Sequence, residues 1–120
     1  MIAQVMEMEK IVEQGLLYDF YGELLTEHQK NIYEDVVYGD LSLSEIAAEQ
    51  GISRQGVHDL IKRCDRILSD YESKLGLVDK FLRTKKMVKE IHDLTEEFER
   101  TEDRTLIEKI RTISDDIIGL

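Results

Sequence analysis

Apolar residues recur every three or four positions along most of this chain, which is the spacing of helices with one buried face. No proline interrupts the pattern. The predicted helices cover about residues 7–25, 26–39, 43–50, 54–75, 77–100 and 103–118. We therefore expect an all-α fold, a bundle of five to six helices that contains a helix-turn-helix and carries a C-terminal helical extension.

The middle of the chain predicts a short helix, a tight turn and a longer helix. Ser42 is a good N-cap, and Glu45 stands three residues later, where a capping box needs it. Gly51 suits the left-handed conformation that ends a helix. We expect Ile52 to point inward and Ser53 to cap the longer helix. This is the arrangement of a helix-turn-helix, whose second helix is offered to a nucleic-acid groove.

The longer helix, from Arg54, divides into two faces at about 100° per residue. The apolar face is predicted from Val57, Leu60, Ile61, Cys64, Ile67, Leu68 and Tyr71. The opposite face holds Arg54, Gln55, His58, Asp59, Lys62 and Arg66. Four of these, Arg54, His58, Lys62 and Arg66, recur every four residues and form one ridge.

The first turn of this helix carries the chemistry of base recognition. Arg can donate twice to guanine, and Gln can pair with adenine, so Arg54 and Gln55 are candidate base contacts. Gly56 would let a phosphate backbone approach closely. Asp59 works against such binding unless it accepts from cytosine N4. The alternative is that Arg54 is a solvated surface residue and that Gly56 only relieves a helix contact.

The first two helices are predicted to pack through apolar stripes. In the first, the stripe is Met8, Ile11, Val12, Leu16, Phe20 and Leu24, widened by Tyr18 and Tyr21. In the second it is Ile32, Tyr33, Val36 and Val37. Thr26 and Gln29 predict a capping box, and Gly39-Asp40 predicts the end of the second helix.

Gly76 is predicted to separate the last two helices from the rest. The fifth helix has the inward set Val78, Phe81, Leu82, Met87, Val88, Ile91, Leu94 and Phe98. The sixth has Leu106, Ile107, Ile110, Ile113, Ile117 and Ile118. A basic run, Lys80, Arg83, Lys85, Lys86 and Lys89, precedes an acidic run in the fifth helix. The basic run could follow a nucleic-acid backbone, bind an acidic partner, or simply be solvated.

The chain of 120 residues has a net charge of -10, which disfavours unspecific coating of nucleic acid. The acidity is concentrated in residues 1–41, with nine acidic and two basic residues. A single cysteine, Cys64, suits a reducing compartment. The first ten residues do not have the pattern of a signal peptide, and no apolar run is long enough for a bilayer. We therefore expect a soluble, cytoplasmic protein without membrane contact.

Nothing in the sequence indicates an enzyme, a metal site or a cofactor. The three histidines are scattered, and Cys64 stands on the predicted apolar face. The sequence contains no glycine-rich phosphate loop, and no acid–base pair stands out from the many carboxylates. We therefore expect no catalytic residue, no metal ligand and no cofactor.

The stretch LYDFYGELLTEHQKNIYEDVVYGDLSLSEIAAEQGISRQGVHDLIKR, residues 17–63, closely resembles the YlxM-like family of helix-turn-helix proteins. Its core, LSLSEIAAEQGISRQGVHD, is also similar to region four of bacterial sigma factors, which reads promoters. The resemblance implies an all-helical regulatory protein. By likeness to the sigma-factor pattern, Arg54, Gln55 and His58 would contact base edges and Lys62 a phosphate. Arg66 is a further candidate because it continues the ridge.

The resemblance also implies a link with the signal recognition particle, because genes of this family lie beside those for the particle's GTPase and its receptor. Two functions follow. One is a DNA-binding regulator, expected as a homodimer on a palindromic site. The other is an interaction module that acts on the particle's protein or RNA without reading DNA. For either function we predict a helix-turn-helix domain over 1–76, with its motif at 42–68. Residues 77–120 would be an extension packed on that domain or on a second protomer.

Overall fold

A computed structural model of the protein describes residues 2–39 and 41–120, with side chains from residue 9 onward. These residues form six α-helices, one 3-10 turn and no strand, which confirms the predicted all-α class. The helices are α1 (Ile2–Tyr21), α2 (Glu27–Val37), α3 (Leu43–Gln50), α4 (Arg54–Leu75), α5 (Leu77–Thr101) and α6 (Thr105–Ile118). The 3-10 turn, Gly22–Leu24, follows α1 directly.

The chain forms two compact units, Met1–Gly76 and Leu77–Leu120. In the first unit α4 packs against α1, α2 and α3, so it is the central helix. The completely buried residues there include Ile32, Tyr33, Ile46, Val57, Cys64 and Leu68. The second unit is a hairpin in which α6 packs against α5. Burial raises the pKa of the Cys64 thiol to about 11, so this side chain is an unreactive part of the core.

The predicted N-caps are present, with one difference, whereas α2 ends at Val37 with Tyr38 as its C-cap, earlier than the predicted Gly39-Asp40. Thr26 and Gln29 form a full capping box, with N···O distances of 3.2 and 3.0 Å. Ser42 accepts from the Glu45 N–H at 3.2 Å, but the Glu45 carboxylate accepts from the Ser42 hydroxyl, whereas a capping box would use the Ser42 N–H. Asp40, predicted to help end α2, lies outside the described residues.

The prediction of which face of α1 is buried is wrong. Leu17, Tyr21 and Leu25 are buried, whereas the predicted stripe is largely exposed at Ile11, Val12, Phe20 and Leu24. Met8 lies outside the described side chains. The helix is turned by about one residue, or 100°, relative to the prediction. The reason is that tyrosines lie at the centre of the buried face, whereas the prediction placed them at its edge.

The turn between α3 and α4 differs from its prediction at one residue. Ile52 is 37% exposed, so it covers the turn from outside and does not enter the core.

The second unit buries fewer apolar residues than predicted. In α5, Phe81, Leu82 and Val88 are exposed, and in α6, Ile107 and Ile118 are exposed. The cause is that a hairpin of two helices has a single seam to bury side chains. The half-buried apolar residues of α5 are Met87, Ile91, Leu94 and Phe98.

The sixth helix begins two residues later than predicted. It starts at Thr105, and the Asp103 carboxylate accepts from the Thr105 N–H at 3.0 Å.

Hydrogen bonds from tyrosines to carboxylates join the helices of the first unit. The pairs are Tyr18–Glu34, Tyr21–Glu72, Tyr33–Asp65 and Tyr38–Asp19. Asp65 is the most connected, because it accepts from Tyr33 at 2.6 Å and from the Gln14 amide at 3.0 and 3.1 Å. It thereby joins α1 and α2 to α4. Burial first, and then these bonds, raise the pKa of Tyr18, Tyr33 and Tyr38.

Gly15→Ala should stabilise the first unit by up to about 1 kcal/mol, because alanine is the better helix former. The added Cβ would lie 3.5 Å from the Tyr38 hydroxyl oxygen, which is an ordinary contact. At Gly22, by contrast, a Cβ would lie 2.8 Å from the Tyr18 ring, so Gly22→Ala should destabilise. Urea unfolding measures both effects. A Gly15→Ala variant less stable than the wild type would contradict this packing.

The raised tyrosine pKa values predict loss of stability in alkali. Unfolded tyrosines ionise near pH 10, while these stay neutral in the folded state, so their contribution is complete below pH 10 and declines above it. Tyr33→Phe should cost about 1.5 kcal/mol at neutral pH, because a hydrogen bond to a carboxylate is lost. It should also flatten the decline above pH 10. The free energy of unfolding, measured by urea titration across this range, tests both. Parallel curves for variant and wild type would count against the assignment.

Candidate nucleic-acid interface

The turn between α3 and α4 is held by backbone bonds and one hydroxyl. Gly51 adopts the left-handed conformation, with φ of 68°, and the Ile52 N–H donates to the Ala47 carbonyl at 3.1 Å. Ser53 then accepts from the Gly56 N–H at 2.9 Å and caps α4. Since the turn is so short, α4 begins immediately beside α3. Its first turn is thereby fixed relative to the core.

The contacts around position 56 explain why a glycine stands there. A Cβ at this position would lie 3.1 Å from the Ser53 hydroxyl oxygen and 3.9 Å from Ile52. A larger residue would therefore press on the cap of α4. These contacts are with the turn before α4 and not with another helix, so the predicted relief of a helix–helix contact is replaced by room for the cap.

The structure places all five predicted site residues on the exposed side of α4. Arg54, Gln55, His58, Lys62 and Arg66 are exposed, while Val57, Ile61, Cys64 and Leu68 are buried on the other side of the same helix. The helix therefore separates a core face from a charged ridge, as its sequence indicates. Arg63, which is not among the predicted site residues, is exposed beside Lys62.

Three of the five residues come together at the start of α4. Arg54, Gln55 and His58 line a shallow depression, and Leu43 from the first turn of α3 completes it. Lys62 and Arg66 lie one and two turns further along α4, outside the depression. Leu43 was missed, because its place beside α4 depends on the turn geometry and leaves no signal in the local sequence.

Asp59 organises the polar side chains of this depression. Its Oδ1 accepts from the Gln55 amide at 2.9 Å, and the same oxygen lies 3.8 Å from the His58 Nδ1. The spacing of four residues between Gln55 and Asp59 is one at which helical side chains meet, so this bond had a sequence signal. The Asp59 carboxylate thus accepts a hydrogen bond from Gln55 and lies beside His58, and both of these residues are candidate base contacts.

The first turn of α4 offers several hydrogen-bonding groups to a ligand in front of it. Arg54 carries a fork of N–H donors, and Gln55 keeps its carbonyl oxygen and one amide hydrogen after bonding Asp59. His58 presents an exposed ring. Donors and acceptors in this position are what a recognition helix uses at base edges.

The described residues show neither a metal site nor a membrane span. No three His, Cys, Asp or Glu side chains within this part of the chain are placed to hold a metal ion. In the same part of the chain, no helix has both the length and the apolar character to cross a membrane.

Comparison with known proteins identifies a family for this chain. The family model described as "Putative helix-turn-helix protein, YlxM / p13 like", UPF0122, matches residues 8–110. A UPF0122 protein of Desulforamulus reducens is 44% identical over 107 residues, which cover 88% of this chain and 91% of that protein. One of Acetivibrio thermocellus is 40% identical over 115 residues, covering 92% and 98%.

A third relative, the UPF0122 protein of Streptococcus gordonii, is 41% identical over 109 residues, covering 91% of this chain and 94% of its own. The resemblance stated from residues 17–63 thus extends over nearly the whole length, and the sequence prediction of the family is confirmed. The chain belongs to the UPF0122 family of YlxM/p13-like helix-turn-helix proteins.

Proposed function

We propose that this protein is a regulatory DNA-binding protein that contacts the major groove with the first turn of α4. The observation that carries the proposal is the depression lined by Arg54, Gln55 and His58 at the exposed start of a capped helix. Helix-turn-helix proteins bind DNA with the N-terminal residues of this helix. The exposed face of α4 supplies that surface, and its buried face anchors it.

In this proposal each residue of the ridge has a distinct task. Arg54 donates to guanine O6 and N7. Gln55, oriented by Asp59, directs its carbonyl oxygen and one N–H toward the base edges. His58 contacts the neighbouring base step. Lys62 and Arg66, further along α4, contact phosphates and set the register of the protein on the duplex.

The proposed binding unit is a helix-turn-helix domain over 1–76, with the second unit as its extension. We further propose that the protein acts as a homodimer, since two copies would place two α4 helices on a two-fold symmetric site. Because the net charge is -10, the affinity must come from a few local contacts and not from general attraction to DNA.

Arg54→Ala should weaken binding to a preferred duplex by about 1–3 kcal/mol, with less effect on other sequences. The preferred duplex is first obtained by selection from a random-sequence library with the wild-type protein. Titration by fluorescence anisotropy then compares preferred and scrambled duplexes. Equal losses on both duplexes would show that Arg54 does not read bases.

Lys62→Ala should weaken binding to all duplexes alike and reduce the slope of log affinity against log salt by about one unit. Lys74→Ala provides a matched control, because Lys74 is an exposed lysine in the last turn of the same helix. It removes the same charge about three turns away from Lys62. If Lys62→Ala and Lys74→Ala have equal effects, the ridge is not the phosphate-binding surface.

A second candidate function is favoured by the acidic surface of the first unit. Exposed carboxylates on α1, the 3-10 turn and α2 include Glu13, Glu23, Glu27 and Glu34, while Lys30 pairs with Glu23 and Glu27. Such a surface suits a basic partner, and the resemblance suggests the signal recognition particle's protein or RNA. Pull-down with these components at physiological salt tests this function. Retention unaffected by Arg54→Ala would favour it over DNA reading, and no retention of any component would exclude it.

A further inference from the structure

A lysine-rimmed groove runs along the exposed side of α5. Leu82 and Val88 are exposed at 45% and 53%, and Lys85, Lys86, Lys89 and His92 line the same groove. The aliphatic parts of the lysines make the groove apolar, while their ammonium groups make its rim basic. The opposite side of α5 carries the seam to α6. The groove thus lies on a face that α6 does not cover.

The charges of α5 are arranged in opposite signs about Ile91. At equal distances on either side stand Lys89 and Asp93, Lys86 and Glu96, and Lys85 and Glu97. At 100° per residue, the members of these three pairs all lie within an arc of about 120° that faces away from Ile91. One face of the helix therefore has a basic half and an acidic half of matching length.

Contacts within α5 explain only part of this arrangement. Lys89 pairs with Asp93 at 3.4 Å and His92 with Glu96 at 3.0 Å, each four residues apart. Among the residues with described side chains, Lys85 and Lys86 have no carboxylate within 4 Å. Along the same helix they are separated from Glu96 and Glu97 by about three turns, too far for contact.

The dipole of α5 does not account for this order of charges. Its effect is confined to the first and last turns, where Asp79 and Arg100 have the favourable signs. In an antiparallel neighbour with the same sequence, each acidic half of this face would lie opposite a basic half.

We propose that this face of α5 binds the same face of a second copy, with the two helices antiparallel and the two-fold axis at the level of Ile91. Lys85 and Lys86 lie about 8 Å from that level along the helix, and so do Glu96 and Glu97 on the other side. The groove of each copy therefore receives the acidic segment of the other. The inference rests on the dimer proposed above, and it is independent of DNA binding.

Charge reversal at the two ends tests the register. The variant K85E/K86E and the variant E96K/E97K should each weaken self-association about tenfold or more, because two attractive clusters become repulsive. Sedimentation velocity over a range of micromolar concentrations measures the dissociation constant. Circular dichroism checks that each variant remains helical.

Mixing the two variants provides the decisive measurement. In the mixed dimer, each end brings opposite charges together. At one end, the carboxylates introduced at positions 85 and 86 of one chain face the ammonium groups introduced at positions 96 and 97 of the other. At the opposite end, the native lysines of the second chain face the native glutamates of the first, so both clusters are attractive. The mixture should therefore form a dimer that neither variant forms alone.

A charge change outside the proposed face serves as the matched control. K109E/R111E on α6 alters the net charge by the same amount as K85E/K86E, at exposed positions of the other helix. It should leave the dissociation constant of the dimer unchanged.

Four results would overturn the inference. A monomeric wild type would remove the dimer and the interface together. A dimeric wild type with unaffected charge variants would retain a dimer but exclude this face. Failure of the mixed variants to associate would exclude the antiparallel register. Loss of duplex binding in K85E/K86E without any change in association would likewise exclude this face and assign the lysines to a nucleic-acid backbone. The first three results do not depend on whether α4 reads DNA.

Discussion

The carboxylate of Asp65 is the contact on which the first unit most depends. It lies on α4 and accepts hydrogen bonds from Tyr33 of α2 and Gln14 of α1, so one side chain links both N-terminal helices to the central helix. A carboxylate placed between helices needs such donors, because an unsatisfied charge there would be costly. The buried apolar residues of α4 add the bulk of the packing. The hydrogen bonds of Asp65 and this apolar packing together hold α4 in place, and with it the exposed ridge on its other face.

Much of this fold follows from local chemistry. The bounds of α3 and α4 agree with those predicted from Ser42, Gly51, Ser53 and Gly76, since caps and left-handed glycines act within a few residues. The buried face of α1 could not be predicted in this way, because it depends on hydrogen-bond partners that lie 51 positions away in the chain. From the sequence alone, a tyrosine is only weakly predicted to be buried, because its burial depends on whether its hydroxyl finds a hydrogen-bond acceptor. For Tyr21 that acceptor, Glu72, lies on another helix.

The candidate site shows the same division between local and distant information. The ridge on α4 follows from spacing alone, and the bond between Gln55 and Asp59 follows from their separation by four residues. The contribution of Leu43 could not be predicted, because it requires the angle between α3 and α4. Asp59 gains a different meaning as well. In the sequence it is a charge opposed to phosphate, whereas in the structure it is the residue that orients a neighbouring amide.

Because Cys64 is buried, its reactivity can be used to measure transient opening of the helices around it. The thiol has no exposed surface, and burial raises its pKa to about 11, so a reagent such as iodoacetamide cannot react with it in the closed domain. Alkylation must wait until the helices around α4 separate. Because this is the chain's single cysteine, its labelling rate counts such opening events without any engineered probe. Ligands that close the domain around α4 would slow that rate, whichever macromolecule they prove to be.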